Sequence, residues 1–475
     1  MDLGKKTKIV CTIGPATESV EKLTALANAG MNVMRLNFSH GDFKEHAMRV
    51  TNLKKVIAAT GKPIAIMQDL GGPKIRIGEF KNGLIVLKEG QTFTLTTNEA
   101  EKLTGDENRV WINYPLFPKE VSVGGQVLLH DGKKHLEIKS IKGNDVVCKV
   151  IVGGEIKSKR GVNLPGAHLS ISSITEKDRK DLEFGIKNKV DYIALSFVRR
   201  PEDIIELREI LKKAKSNASI IAKIETPEAL ENIDAIINLT DAIMIARGDL
   251  AIEIPAEDVP VAQKMLIKKC NALGKPIITA TQMLESMIKS PIPTRAEVSD
   301  VANAIMDGTD AIMLSEETTL GDYPVESVAM MTRIALKVEN ESRLAKKTFS
   351  YDEGHHDLTD LISQSAVRVA REVNAKYIVA LTKSGRAARM IARYRPIQQV
   401  LALSSSPKEA NKLTLSYGCY PIEVPYFSTV EDIMTLVRSV TLKQKLAKKG
   451  EKVVIIAGMP VGKAKETNMV LVETI

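Results

Sequence analysis

Eight short β-rich runs, most of them followed by an amphipathic helical pattern, set the strongest constraint on how this chain can fold. They are "TKIVCTI" near 7, "NVMRLNF" at 32, "IAIMQDL" at 64, "YIALSFV" at 192, "IIAKIE" at 220, "AIMIARGD" at 242, "IITATQM" at 277 and "AIMLSEE" at 311. Near-continuous apolar strands that alternate with helices are buried on both faces, as in a parallel sheet with helical crossovers. Eight such units match a closed (β/α)8 barrel, with an open doubly wound sheet as the alternative. The helices carry start signals of their own: "TRAEVSDVANAIMDG" opens with Thr294 and Glu297 at capping-box spacing.

One connection breaks the rhythm. Roughly 120 residues separate the third run from the fourth, far more than a βαβ crossover needs. Within them the pattern changes to short alternating runs, "GLIVLKEGQTFTLTT", "GGQVLLHDG" and "KHLEIKSIKGNDVVCKVIVGGEI", punctuated by Gly, Asn and Asp. This predicts a small all-β domain over 73–163, inserted at the end of the third barrel strand. The barrel is then assembled from 1–72 and 164–344. From 345 to 475 a new strand and helix alternation, including "YIVALT", "QVLALS" and "KVVIIAG", predicts a separate C-terminal α/β domain.

At 475 residues the chain is long enough for these three units. A net charge of +9 would suit an anionic partner. The bases are spread along the chain and aromatics make up only 4%, which argues against nucleic acid. Cys11, Cys148, Cys270 and Cys419 stand far apart, with neither zinc-ligand nor disulfide spacing. No run has the length of a signal peptide core or a membrane span. The expectation is a cytoplasmic protein without a membrane partner.

In barrel enzymes the chemistry sits at the carboxyl ends of the strands. Here those ends are polar: Arg35, Asn37, Ser39 and His40 close the second run, Asp69 the third, Lys223 and Glu225 the fifth, Arg247 and Asp249 the sixth, and Thr279, Thr281 and Gln282 the seventh. Spacing by two puts Arg35, Asn37 and Ser39 on one face, and Lys223 and Glu225 likewise. Solvation does not explain charge inside a run as apolar as "IIAKIE". Glu225 and Asp249, with no histidine nearby, suit a hard divalent cation better than zinc, the other reading being a salt-bridged pair. Arg35 and Lys223 beside such an ion would cradle a phosphoryl group. Gly248 lets backbone approach a ligand, and amides of a helical turn starting there would face an anion. The chain has no GxxxxGK[ST], no GxGxxG after a strand and no GxSxG. His355, His356 and "KQKLAKKG" read as solvated surface.

The strings "TKIVCTIGPA", "MNVMRLNFSHG", "KIETPEAL", "ARGDL", "ATQMLESMI", "PTRAEVSDVANAIMDGTDAIMLS" and "YRP" resemble motifs of the pyruvate kinase family, in that family's order and along essentially the whole chain. The resemblance implies that the inserted domain is a lid and the C-terminal domain regulatory. It implies conversion of phosphoenolpyruvate and ADP to pyruvate and ATP, with Mg2+, or Mn2+ in its place, in a cytoplasmic homotetramer. By motif, Arg35 would hold the transferring phosphate, Lys223 would stabilise its charge, and Glu225 and Asp249 would carry Mg2+. Gly248 and Asp249 would receive the substrate carboxylate, and Thr281 would lie near the enolate carbon. Asn37, His40, Arg76 and Arg160 match nucleotide contacts, Arg160 standing where many members have lysine. Ala251 replaces a glycine usual in "GDLG".

A further departure lies in "MQDLGGPKIRIG". Members that need potassium resemble D-T-x-G-P-E-I-R here and hold K+ with residues matching Asn37, Ser39, Asp69 and the threonine. This chain has Leu70 for the threonine and Lys74 for the glutamate. Leu70 offers no side-chain oxygen, and Lys74 brings a fixed positive charge, so the expectation is K+ independence with the Lys74 ammonium acting for the ion near Asp69. In the C-terminal domain, Thr382, Lys383, Ser384, Gly385 and Arg386 match a loop that often binds a phosphorylated effector, and "GMPVGKAKETNMVLV" resembles the second effector loop. Two other readings stay open: a Mg2+-dependent lyase or aldolase on the same barrel, which leaves Lys223 and the inserted domain without a task, and a catalytically silent metabolite-binding regulator.

Overall fold

In the first three barrel strands, β1 (Lys8–Thr12), β2 (Val33–Asn37) and β3 (Ala65–Asp69), nearly every side chain is buried. That is the pattern of parallel strands covered on both faces. The structure is a computed structural model that describes residues 3–341, 357–427, 429–460 and 466–475; His355, His356 and most of "VGKAKE" lie outside them. The remaining barrel strands are β12 (Tyr192–Val198), β13 (Ser219–Ile224), β14 (Ala242–Ala246), β15 (Ile277–Ala280) and β16 (Ala311–Leu314). They close in the order β1-β16-β15-β14-β13-β12-β3-β2, with Lys8 opposite Ala311 at the seam. The eight runs therefore form the closed barrel, not the open sheet.

Two apolar layers hold it. Val10, Val33, Met67, Ile221, Met244, Ile278 and Met313 fill the lumen. Leu23, Leu53, Leu195, Leu207, Ile236 and Leu266 pack the strands against the surrounding helices. The helix Arg295–Asp307 starts with the full capping box of Thr294 and Glu297.

Between β3 and β12 lie eight further strands. A two-stranded sheet pairs β4 (Leu84–Leu87) with β10 (Gly154–Lys157). A six-stranded sheet, ordered β11-β7-β8-β9-β5-β6, is built from β5 (Thr92–Thr96), β6 (Arg109–Trp111), β7 (Gln126–Leu129), β8 (Lys134–Lys142), β9 (Asp145–Val152) and β11 (Val162–Asn163). This unit has its own core around Phe93, Phe117, Leu136 and Val150. The chain leaves the barrel through Gly72, whose φ of 65° suits glycine and whose N–H donates to Asp178 Oδ1 at 3.2 Å. A Cβ there would come within 2.9 Å of Ser196 and Phe197 atoms. On the return path Arg199 donates to the carbonyls of Leu169 and Ile171.

The C-terminal sheet runs β19 (Cys419–Glu423), β18 (Gln399–Ser404), β17 (Tyr377–Leu381), β20 (Lys452–Ala457), β21 (Met469–Thr474), with only the last pair antiparallel. Arg395 ties this domain to the barrel through Asp310, at 3.0 Å. All four cysteines are free and buried. Among the described residues no helix is long and apolar enough to cross a membrane.

Candidate active site

Lys223 stands at the barrel mouth because β13, a fully buried strand, carries it next to its carboxyl end. Its ammonium lies 2.9 Å from Glu225 Oε1 and 3.3 Å from Asp69 Oδ1, and it donates to Ser196 Oγ at 2.6 Å. Burial alone would lower its pKa, but Asp69, Glu225 and Asp249 outweigh burial and hold it above the usual lysine range. A lysine so placed is a fixed positive charge and not a proton acceptor.

Asp69 ends β3 and is 1% exposed. Arg35 Nε donates to its Oδ2 at 2.7 Å, while Arg35 Nη1 donates to Thr12 Oγ1 at 2.8 Å. Burial would raise the Asp69 carboxyl, yet the charges of Lys223 and Arg35 prevail and hold it below the usual carboxylate range. Asn37 is opposite Asp69 in register, and its Oδ1 accepts from Ser39 N at 3.0 Å. Ser39 falls beyond the end of β2, in the turn, so the alternation expected for Arg35, Asn37 and Ser39 stops at Asn37.

Glu225 is also 1% exposed. One oxygen accepts from Phe197 N at 2.7 Å, a peptide held at a φ of 54°, and the other, Oε1, forms the 2.9 Å ion pair with Lys223. Burial pushes its pKa up, and Asp249 adds to the rise against the pull of Lys223. Asp249 sits in the first turn of the helix Arg247–Glu253. Among the described residues no three His, Cys, Asp or Glu side chains gather around one point, so any ion here rests on two carboxylates plus waters or substrate oxygens. Charge counting favours an ion. Arg35 and Lys223 oppose Asp69, Glu225 and Asp249, leaving one net negative charge that would repel an anion. A divalent cation held by Glu225 and Asp249 would turn the site positive.

The helix Arg247–Glu253 does start beside the site, but its Gly248 N–H already donates to Thr281 Oγ1 at 2.7 Å. Thr281 and Gln282 hold φ values of 70° and 54°, a left-handed pair that costs free energy in a β-branched residue. Arg247 fixes this loop: its guanidinium donates to Thr281 O at 2.8 Å and Ala280 O at 3.2 Å, and Asp300 grips it through two contacts of 2.7 Å. Thr279 lies deeper and bonds to Thr309.

Between the barrel mouth and the inserted domain is a cleft of about 520 Å³. His40, Lys74, Arg76, Arg160 and Asp249 all line it. Arg76 is fastened by Asn113 to its N–H and by Lys159 O to its Nη1. Burial, then the charges of Lys74, Arg76 and Arg35, lowers the His40 pKa. Leu70 is buried among apolar side chains of the barrel wall. Lys74 is exposed on the cleft and does not touch Asp69, whose two cationic partners are Arg35 and Lys223. Lys74, expected to act for the ion near Asp69 and the substrate phosphate, makes no ion pair with Asp69 among the described residues. In the C-terminal domain, Arg386 of the 382–386 loop pairs with Asp357, Thr382 N donates to Leu403 O, and Gly385 takes a φ of 78°.

Ser196, Phe197, Thr12 and Asp300 complete the site without having been singled out in the sequence. Ser196 alone carried a signal, as a hydroxyl inside the apolar run "YIALSFV".

Comparison with known proteins accords with the fold. The family described as pyruvate kinase, barrel domain, matches residues 4–328, and that described as pyruvate kinase, alpha/beta domain, matches 360–473. A pyruvate kinase of Geobacillus stearothermophilus is 46% identical over 478 residues, spanning 99% of this chain and 80% of its own. One of Clostridium acetobutylicum is 43% identical over 99% of this chain and all of its own. The crystal structure of a pyruvate kinase from Cryptosporidium parvum superposes with a TM-score of 0.92 at 37% identity, covering 99% of this chain and 96% of that one.

Proposed function

The chain belongs to the pyruvate kinase family and is therefore a phosphotransferase, and we propose that Lys223, Arg35, Glu225 and Asp249 carry the transfer from phosphoenolpyruvate to ADP in the way the mouth of the barrel suggests. The observation that carries the assignment is the Lys223 ammonium, buried between Asp69 and Glu225 at 3.3 and 2.9 Å.

Glu225 and Asp249 fit Mg2+, or Mn2+, and an ion bound there supplies the charge that draws phosphoryl oxygens into the site. Arg35 holds the phosphate as it leaves the substrate. Lys223 neutralises the negative charge spread over the transferring group, with no reorganisation because its partners already fix it. The Gly248 and Asp249 amides receive the substrate carboxylate once Thr281 Oγ1 yields the Gly248 N–H. Thr281 then stands free to face the enolate carbon, where protonation completes pyruvate. Asn37, His40, Arg76 and Arg160 meet the nucleotide phosphates across the cleft, which gives the inserted domain its task as lid and disfavours a lyase.

The reading includes K+ independence, supported by the burial of Leu70 and by Lys74 on the cleft wall. There Lys74 acts on the substrate side and not as a partner of Asp69. It also includes a cytoplasmic homotetramer controlled by a phosphorylated effector at Thr382, Lys383, Ser384, Gly385 and Arg386. Pyruvate release that needs ADP and Mg2+, and that Lys223→Met slows at least about a hundredfold, is the expected result. Unchanged turnover in that variant would refute the assignment. Titration of the phosphoenolpyruvate saturation curve with sugar phosphates and AMP, and light scattering for mass, test the remainder.

A further inference from the structure

The two chain crossings between the barrel and the inserted domain converge on one short segment, residues 196–199 at the end of β12. On the outgoing path the Leu70 carbonyl accepts from Ser196 Oγ at 2.8 Å, and Gly72 rests so closely on Ser196 and Phe197 that a Cβ there would come within 2.9 Å of both. On the return path Ser173 Oγ donates to Phe197 O at 2.9 Å, and Arg199 holds the carbonyls of Leu169 and Ile171. The register between β12 and β13 slips at this point. Leu195 faces Ala222 and Val198 faces Ile224, three steps against two, so β12 carries an extra residue, a device that re-aims side chains beside a site.

The inner side of the segment holds the functional side chains of β13. Ser196, 2% exposed, accepts from Lys223 Nζ at 2.6 Å, and the Phe197 N–H donates to Glu225 at 2.7 Å. An ammonium has donors and no acceptor, so Ser196 Oγ can only accept from Lys223. Its single proton is left to Leu70 O, because Asp69 Oδ1, at 3.5 Å, is too far to compete. The hydroxyl is thereby oriented from both sides. Asp69 and Glu225 attract the ammonium at 3.3 and 2.9 Å, and Ser196 sets its third direction at the shortest of the three distances.

We propose that Ser196 is a positioning residue that ties the Lys223 ammonium to the hinge of the inserted domain, so that the ammonium stands in its working place only when that hinge does. The inference rests on the role given to Lys223 under the proposed function and adds the group that aims it. Movement of residues 70–72 passes to Lys223 through one hydroxyl, and to Glu225 through the Phe197 peptide.

Steady-state pyruvate formation by the full chain at saturating Mg2+, with a double-mutant cycle between Ser196 and Lys223, tests the proposal. Ser196→Ala is expected to lower kcat about tenfold or more while the KM for ADP stays within about twofold, because Ser196 does not line the nucleotide cleft. Ser196→Cys, which fills the same space with a poor acceptor, gives the same loss. In Lys223→Met, adding Ser196→Ala costs less than about twofold more, since the hydroxyl acts only through the lysine. The fold-loss in kcat from Gly72→Ala, which presses a Cβ onto the segment, is at least about threefold larger in the unaltered chain than in Ser196→Ala. A merely structural role would lower the melting temperature and leave the losses additive. Unchanged kcat in Ser196→Ala, recovery in Ser196→Cys, additive loss with Lys223→Met, or equal loss from Gly72→Ala in both backgrounds would each overturn the proposal. Full activity in Lys223→Met would instead refute the proposed function, which separates the two failures.

Discussion

Asp69 holds together two cations that belong to different strands, Arg35 on β2 and Lys223 on β13, while itself almost wholly buried. Its folded-state pKa lies below its unfolded value. On acidification the unfolded chain therefore takes up the proton first, so this stabilisation is complete above about pH 4 and fades as pH falls through the folded value. Asp69→Asn should destabilise the protein by about 3–5 kcal/mol at neutral pH, since it strands two buried charges. The gap to the unaltered chain should narrow below about pH 4 in urea unfolding curves; a gap independent of pH would contradict this. Lys223→Met acts on the chemistry, where the loss of one preorganised positive group should lower kcat roughly a hundred- to a thousandfold. The KM for ADP should move little, because Lys223 does not line the cleft assigned to nucleotide.

Among the elements, the loop after β15 is the most strained part of the site. Thr281 is β-branched and left-handed, a conformation that costs of order 1–3 kcal/mol and persists because Arg247, itself held by Asp300, grips the backbone. Thr281→Gly should remove that strain and the hydroxyl together, giving turnover reduced roughly a hundredfold with no fall in melting temperature. A large drop in melting temperature would show the strain argument to be wrong. The same element shows what the sequence reveals and what it hides. Lys223 was legible in the sequence because a charge inside an apolar strand has few bland explanations, and Glu225 and Thr281 because they follow directly on such strands. The Arg247 to Asp300 grip was not, since Asp300 lies on a helix 53 residues away and looks like any solvated acid. Nor was Phe197, which serves the site through its backbone N–H and its positive φ, two properties that side-chain identity does not advertise.

At the scale of the molecule, the barrel, the inserted unit and the C-terminal domain each have apolar clusters of their own, which explains why the architecture could be read from pattern alone. Periodicity changes wherever one core gives way to the next, and the turn residues mark the crossings. What pattern does not convey is how the parts face each other. The charge on Lys74 was legible, but its distance from Asp69 was not, and Ser196 meets the hinge carbonyl of Leu70 from 126 positions away. If the inserted unit folds on its own core, replacing residues 73–163 by a short linker should leave a cooperative melt of the barrel while abolishing ADP-dependent turnover. Loss of the melt would mean that the barrel depends on the lid.

The account rests on cations built into the chain doing the electrostatic work at the mouth of the barrel. The most direct test is the steady-state rate of pyruvate formation from phosphoenolpyruvate, ADP and Mg2+ in a buffer free of potassium, before and after adding KCl, for the unaltered chain and for Lys74→Glu. We expect the unaltered chain to change by less than about twofold and Lys74→Glu to lose most of its activity, since it reverses a charge on the wall of the cleft assigned to the nucleotide. A many-fold rise of the unaltered chain on adding KCl, or full activity in Lys74→Glu without it, would contradict the account.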